Sequence, residues 1–144
     1  MAEGWARHLL NDRFESYSAG IDPTRVDPRA VQVMAEAGVD LSSHHAKSIR
    51  DIQNIDFDYV VTVCDQAREQ CPYFPARLGV IHASFDDPPA LAGQAKGDPK
   101  RDVSRLGTLD EQEAVAIYRR VRDEIRGFIE KLPRVLEAKG SRRP

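Results

Sequence analysis

Cysteine is scarce in this chain, with only Cys64 and Cys71 among 144 residues. A disulfide-stapled secreted scaffold needs a denser thiol framework, so that class is excluded. Long apolar runs are missing too. No stretch reaches the roughly eighteen residues of a membrane span, and no signal-peptide core is visible. A cytoplasmic protein is the expectation. Neither sign of charge dominates: 21 Lys and Arg stand against 23 Asp and Glu. That near balance argues against a nucleic-acid binder or a polybasic membrane surface. Repeats and low-complexity tracts are also lacking, so residues 1–144 read as one domain. The 41% hydrophobic content is enough to build its core.

Strand and helix signals alternate along the chain. "MAEGWARHLL" reads as a helix from its first residues, with Trp5 and Leu9 at i,i+4 and no cap residue before it. "RFESYSAG", residues 13–20, reads as a short strand ending at Gly20. In "VDPRAVQVMAEAG" Asp27 is the N-cap, Pro28 the first helical residue and Gly38 the residue past the end. A polar loop and a short helix near 49–54 follow. "FDYVVTV", residues 57–63, is a nearly continuous apolar run, suited to a parallel strand buried on both faces. Another strand falls at roughly 78–83. Residues 89–108 read as a flexible Pro/Gly/charge-rich loop. The longest helix runs from Leu109 to Leu132, its core face formed by Ala114, Ile117, Val121, Ile125, Phe128 and Leu132, with Val115, Tyr118 and Ile129 on the flanks. Pro133 is expected to end or kink it, and residues 139–144 to fray. The pattern predicts an α/β fold with a parallel sheet.

Both cysteines fall in "VTVCDQAREQCPYFP", which reads as strand end followed by helix. Seven residues are nearly two helical turns, so the thiols share a face but lie about 10.5 Å apart along the axis. A disulfide needs Cα atoms within about 7 Å. The two thiols are therefore unrelated, or the segment is a switch that unwinds on oxidation. Two buried thiols acting as small hydrophobes remain an alternative. Cys64 sits just after a strand, at the first turn of the predicted helix, where the helix dipole favours thiolate. A zinc site with His44 and His45 is a rival reading, but C-x6-C lacks the usual short ligand spacing.

The segments "MAEGWARHL", "YSAG", "VDPRAVQVMAEAGVDLSSHHAKS", "FDYVVTVCDQAREQCPYFP", "FDDPPA" and "YRRVRDEI" occur in this order. Together they resemble the thioredoxin-coupled arsenate reductases, which share the low-molecular-weight tyrosine phosphatase fold. The resemblance spans almost the whole chain, apart from the loop after Pro88 and the tail. Its most specific part is "VTVCDQAREQCP", because the simpler phosphatases lack that cysteine pair. The resemblance implies a three-layer α/β/α fold around a parallel sheet of low-molecular-weight phosphatase type. It implies an oxidoreductase that turns arsenate into arsenite through a cysteine relay. A first cysteine attacks arsenate; a second, matched by Cys64, attacks that cysteine and releases arsenite; a third, matched by Cys71, attacks Cys64. The resulting disulfide is exposed as its helix unwinds, and thioredoxin reduces it. Asp87, directly before Pro88, matches the general acid; the plainer reading is that Asp86 and Asp87 cap a turn. No bound cofactor is implied. A potassium ion sits in some members near the positions matched by Glu3 and Ser18, and here the ammonium of Lys47 stands where an acidic ligand is expected. The plainer reading of Lys47 is a solvated loop lysine.

The family's first nucleophile lies in a C-x5-R loop, after the first and central strand of the sheet and just before the helix matched by "MAEGWARHL". This chain begins after that loop and has no third cysteine. Two expectations follow. Either Met1 is not the true start, or the short chain rearranges or forms a homodimer that covers the missing strand. The chain alone is expected not to turn over arsenate. Two other functions remain open: a non-catalytic dithiol module that binds thioredoxin or another protein, and a low-molecular-weight tyrosine phosphatase relative.

Overall fold

The computed structural model describes residues 1–63, 74–92 and 111–140. Helix α1 spans Ala2–Leu10 and buries Glu3, Gly4, Trp5 and Leu10. Helix α2 spans Pro28–Glu36. The Asp27 side chain accepts from the Arg29 backbone N–H at 2.8 Å, the N-cap that the sequence announces. At the other end Gly38 takes φ +80°, and Gly38 and Val39 donate to the carbonyls of Ala35 and Met34. That is the glycine-terminated helix end in which two orphan carbonyls are satisfied. A 3₁₀ helix at Ile49–Ile52 starts with a capping box between Ser48 and Asp51.

Strands β1 (Phe57–Thr62) and β2 (Ala76–His82) pair in parallel, with Val60 opposite Val80 and Thr62 opposite His82. Among the described residues the sheet has these two strands. Helix α3 is a single turn, Pro88–Leu91, and α4 runs from Glu111 to Gly140. The main core joins α1, α2, the residues after α2, the sheet and α4: Trp5, Met34, Leu41, Ile81, Val121 and Ile129 are all buried in it. Trp5, 1% exposed, donates its indole N–H to the Arg122 carbonyl at 3.1 Å, and the Arg126 guanidinium lies 5.2 Å from its ring centre. Gly4 lets α1 seat closely: a Cβ there would lie 2.6 Å from Leu41 Cδ2 and 3.2 Å from Met34 Cε, so the Leu41 side chain would have to shift to admit one.

Several expectations are corrected. Residues 13–20 form no strand. Gly20 makes only an isolated parallel bridge with Ser48, donating to the Lys47 carbonyl at 2.9 Å and accepting from Ile49. No described strand runs alongside 13–19 to reward an extended ladder. β1 is half-buried rather than buried on both faces, and Asp58 is exposed. The loop expected over 89–108 starts with the helical turn α3, and residues 93–110 lie outside the described residues.

The largest correction concerns α4, which does not stop at Leu132: it contains Pro133 and reaches Gly140, and residues 141–144 of the expected tail lie outside the described residues. Proline in a helix interior costs roughly 3 kcal/mol. The continuation recovers burial of Leu136, 5% exposed, and a 2.7 Å bond from Lys139 Nζ to the Val80 carbonyl. The core stripe of α4 is also rotated from the expected one. Val115, Tyr118 and Ile129 are buried with Ala114, Val121, Ile125 and Leu132, while Ile117 and Phe128 are half-buried. Leu136→Ala tests the extended helix: equilibrium urea unfolding should show a loss of about 2–5 kcal/mol. A chain whose helix ended at Leu132 would lose almost nothing.

Candidate functional site

The two cysteines, Cys64 and Cys71, lie outside the described residues, which stop at Val63 and resume at Phe74. The end of β1 is defined up to that point. Thr62 Oγ1 lies 2.8 Å from His82 Nδ1, across the C-terminal ends of the two strands. Ligand-binding crevices of parallel sheets form at that end.

Asp87 is described. It precedes α3 in an extended conformation, and its carboxyl makes no capping bond to that turn. The turn is fixed by backbone bonds from Leu91 to the Asp87 carbonyl and from Ala92 to the Pro88 carbonyl, and Pro88 is buried. Partial burial, and after it the negative charge of Asp27, pushes the Asp87 carboxyl above the usual carboxylate range. A carboxyl that holds its proton is suited to donate one. The neighbouring Asp86 is used differently, in an exposed ion pair with Arg120 at 3.0 Å.

The second constellation is centred on Glu3, the one charged residue that is buried among the described residues. Arg7, one helical turn on, lies 2.7 Å from Oε1. The hydroxyl of Ser18 donates to Oε2, and Lys47 Nζ reaches the same oxygen at 3.3 Å. His44 Nδ1 is 3.9 Å away. Burial pushes the Glu3 carboxyl up, but the Ser18 hydrogen bond and the charges of Lys47 and Arg7 outweigh it and leave the group below its ordinary value. His44 is held down, first by burial and then by nearby Arg7, the N-terminus and Lys47, despite the pull of Glu3. It is therefore a neutral imidazole near pH 7 and supplies no ion pair. The cluster lines an open cleft of about 320 Å³ shared with Thr24 and Arg25.

Lys47 is thus no solvated loop lysine; its side chain is 14% exposed. Both oxygens of Glu3 are already engaged, by Arg7 on one side and by Ser18 and Lys47 on the other. Among the described residues no group of three or more His, Cys, Asp or Glu is arranged to hold a metal. Sequence reasoning reached Glu3, Ser18 and Lys47 only through the family resemblance and His44 only as a rival zinc ligand, and it missed Arg7. The i,i+4 spacing of Glu3 and Arg7 was the available signal.

Two outcomes follow from these geometries. Lys47→Met removes a charge-assisted bond from a buried carboxylate and should cost about 1.5–3 kcal/mol at neutral pH. Because Glu3 is depressed in the fold, its stabilisation is present above the unfolded carboxylate value and lost as pH falls through the folded one. Acid unfolding of Lys47→Met, followed by circular dichroism, should therefore begin at higher pH than in the parent. Asp87 has the opposite sign. Its raised folded value means that stability is lost as pH rises from the unfolded value through the folded one. Asp87→Asn should raise Tm at neutral pH and leave it unchanged well below the carboxylate range.

The chain matches the low molecular weight phosphotyrosine protein phosphatase family over residues 1–142. It is 39% identical over 126 residues to an arsenate reductase of Bacillus subtilis, covering 87% of this chain and 78% of that protein. With an arsenate reductase of Shouchella clausii the identity is 39% over 132 residues, covering 91% and 83%. Among solved structures, an arsenate reductase in its oxidized state superposes with a TM-score of 0.66 at 22% identity, covering 94% of this chain and 86% of that one. An arsenate reductase in its reduced state gives 0.61 at 21%, covering 91% and 83%. By sequence and by fold, this chain belongs to the low molecular weight phosphotyrosine protein phosphatase family, grouped with its arsenate reductase members.

Proposed function

We propose that this chain carries the later half of a thioredoxin-coupled arsenate reduction. The observation that carries the reading is the 39% identity to an arsenate reductase over 126 residues, a stretch of chain that contains the cysteine pair. The first thiol, which takes arsenate, is supplied from outside these 144 residues. The thiolate of Cys64 attacks the sulfur of that cysteine. A new S–S bond forms, the S–As bond breaks, and arsenic leaves as arsenite with the bonding electron pair. Cys71 then attacks Cys64 and frees the first thiol, leaving a Cys64–Cys71 disulfide. Thioredoxin in the cytoplasm restores the pair by thiol–disulfide exchange.

Asp87 is the general acid of the first step, protonating the oxygen that leaves arsenate as the first thiol attacks. Its raised proton affinity supports the role. No potassium ion is required beside Glu3, because Lys47 serves as the cation. The described residues include no helix long and apolar enough to cross a membrane, which agrees with a cytoplasmic site of action. Among the described residues β1 pairs on one side only, so a second copy of the chain is the proposed cover for its open edge.

Mild oxidation of the purified chain, read by thiol titration and mass spectrometry, tests the central claim. Cys64 and Cys71 should vanish together and form one intramolecular disulfide that thioredoxin reduces. Two free thiols after oxidation would end the reading. Oxidation to the disulfide with no effect of thioredoxin would favour a dithiol module serving another reductant. Without its first nucleophile, the 144-residue chain should show no arsenate turnover in the same assay.

A further inference from the structure

Asp87 is delivered by residues 83–92, which leave β2 and cross α4. Their fixed points are contacts made by the neighbours of Asp87. Ala83 and Phe85 donate their backbone N–H groups to the carbonyls of Thr62 and Val63 at 2.9 and 3.3 Å, so the chain beyond β2 stays tied to the end of β1. The Phe85 ring meets Phe128 of α4 edge to face, with ring centres 5.8 Å apart. Asp86 Oδ2 accepts from Arg120 Nη2 at 3.0 Å, and Arg120 Nη1 donates to Glu124 Oε1 at 2.8 Å. Pro88 is buried, and Ala92 packs on the cluster of Tyr118 and Val115. The carboxyl of Asp87 makes no capping bond to α3, so its direction is set by what holds the chain on either side.

Arg120, Glu124 and Phe128 are spaced four residues apart and form one stripe of α4. The segment runs over that helix in the opposite sense, with Phe85 at Phe128, Asp86 at Arg120 and Ala92 beside Tyr118. Neighbouring arginines of α4 are engaged elsewhere. Arg119 holds Glu36 of α2 through two bonds of 2.8 Å, Arg122 reaches the Val33 carbonyl and Asp123, and Arg126 lies over Trp5 and pairs with Glu130.

We propose that Arg120 is a positioning residue for Asp87: braced by Glu124, its guanidinium holds Asp86 and thereby fixes the direction in which the adjoining carboxyl leaves the chain. The inference rests on the reading of Asp87 as general acid. The ring contact of Phe85 with Phe128 is made two residues before Asp87, whereas the Arg120 bond is made at the adjoining residue and is charge-assisted. The side chains of Arg120 and Asp86 are 46% and 56% exposed, so the pair adds little to global stability. Its effect is local. Helix α3 is one turn long and has no side-chain cap, and a small restraint is enough to select its conformation.

Amide exchange measured by NMR in the intact chain tests this at Leu91 and Ala92, whose N–H groups close the turn on the carbonyls of Asp87 and Pro88. Arg120→Met and Asp86→Asn should each speed exchange at both positions by about two- to fivefold, the scale an exposed pair can carry, while amides of α1 and α2 keep the parent rate. The double variant should exchange no faster than the singles, because both remove one bond. Arg120→Lys, which keeps the charge, should recover part of the protection. Equal acceleration throughout the chain would mean a general loss of stability and overturn the proposal. No change at Leu91 and Ala92, effects that multiply in the double variant, or no recovery with lysine would overturn it too. Carbon-detected titration of the Asp87 carboxyl in Arg120→Met gives a second readout, in which charge and positioning have opposite signs. Loss of a nearby cation by itself raises the midpoint. Release of the turn exposes the carboxyl, whose partial burial is the main cause of its raised value, and lowers the midpoint. A fall supports positioning; a rise or no change overturns it. These measurements ask for no turnover. Asp87→Asn that leaves a complete enzyme fully active would instead sink the general-acid reading and leave the measured restraint standing.

Discussion

Burial of one apolar stripe on α4 is the constraint on which the other elements depend. Trp5 from α1, Met34 and Val33 from α2, and Ile81 from β2 all find their cover in a core that α4 completes. Each fully buried side chain of this size contributes about 1.5–3 kcal/mol. The stripe also fixes orientation, because the Trp5 indole must meet the Arg122 carbonyl and the Tyr118 hydroxyl must meet Asp27. These two polar bonds set α1 and α2 at defined heights on α4. The first turn of each helix, and the turn opened by Asp87, are thereby gathered around Tyr118.

The Glu3 cluster solves a different problem. A buried carboxylate is costly unless paired and hydrogen-bonded. Here three donors arrive from three segments: Arg7 within α1, Ser18 from the chain that follows it, and Lys47 from the loop beyond α2. The two loops have little regular structure of their own, and the single bridge between Gly20 and Ser48 lies just beyond Ser18 and Lys47. The carboxylate therefore pins two irregular segments together from beneath, and a lysine supplies the positive charge from within the chain.

The local signals were the legible part of the fold. Asp27, Pro28 and Gly38 bracketed α2 because caps and glycine ends are properties of a few adjacent residues. The alternation of elements gave the parallel α/β class, and the run at 57–63 gave β1 to within a residue. What failed depended on partners distant in sequence. Residues 13–20 have strand-like composition, but a ladder needs a neighbour. Pro133 looked like a stop because the rewards beyond it, Leu136 in the core and Lys139 at β2, are tertiary. The stripe on α4 was misplaced because side-chain spacing alone does not say which flank faces α2. Asp87 was singled out only through the family resemblance.

The bond from Lys139 to the Val80 carbonyl has a consequence for the chain in a crowded solution. Neighbouring strand residues point their carbonyls to opposite sides, and Thr62 reaches the Ile81 carbonyl on the β1 side. The Val80 carbonyl therefore faces away from β1, on the side where β2 has no strand partner among the described residues, and an unpaired row of backbone groups is a template for strand addition by another chain. Leu78 and Val80 are both exposed there and would make such an addition adhesive. An ammonium group set on that carbonyl occupies an acceptor that an incoming strand would need and places a charge beside the apolar pair. By continuing through its proline, α4 carries that charge to the strand, and a helix of the expected length would have left the edge bare.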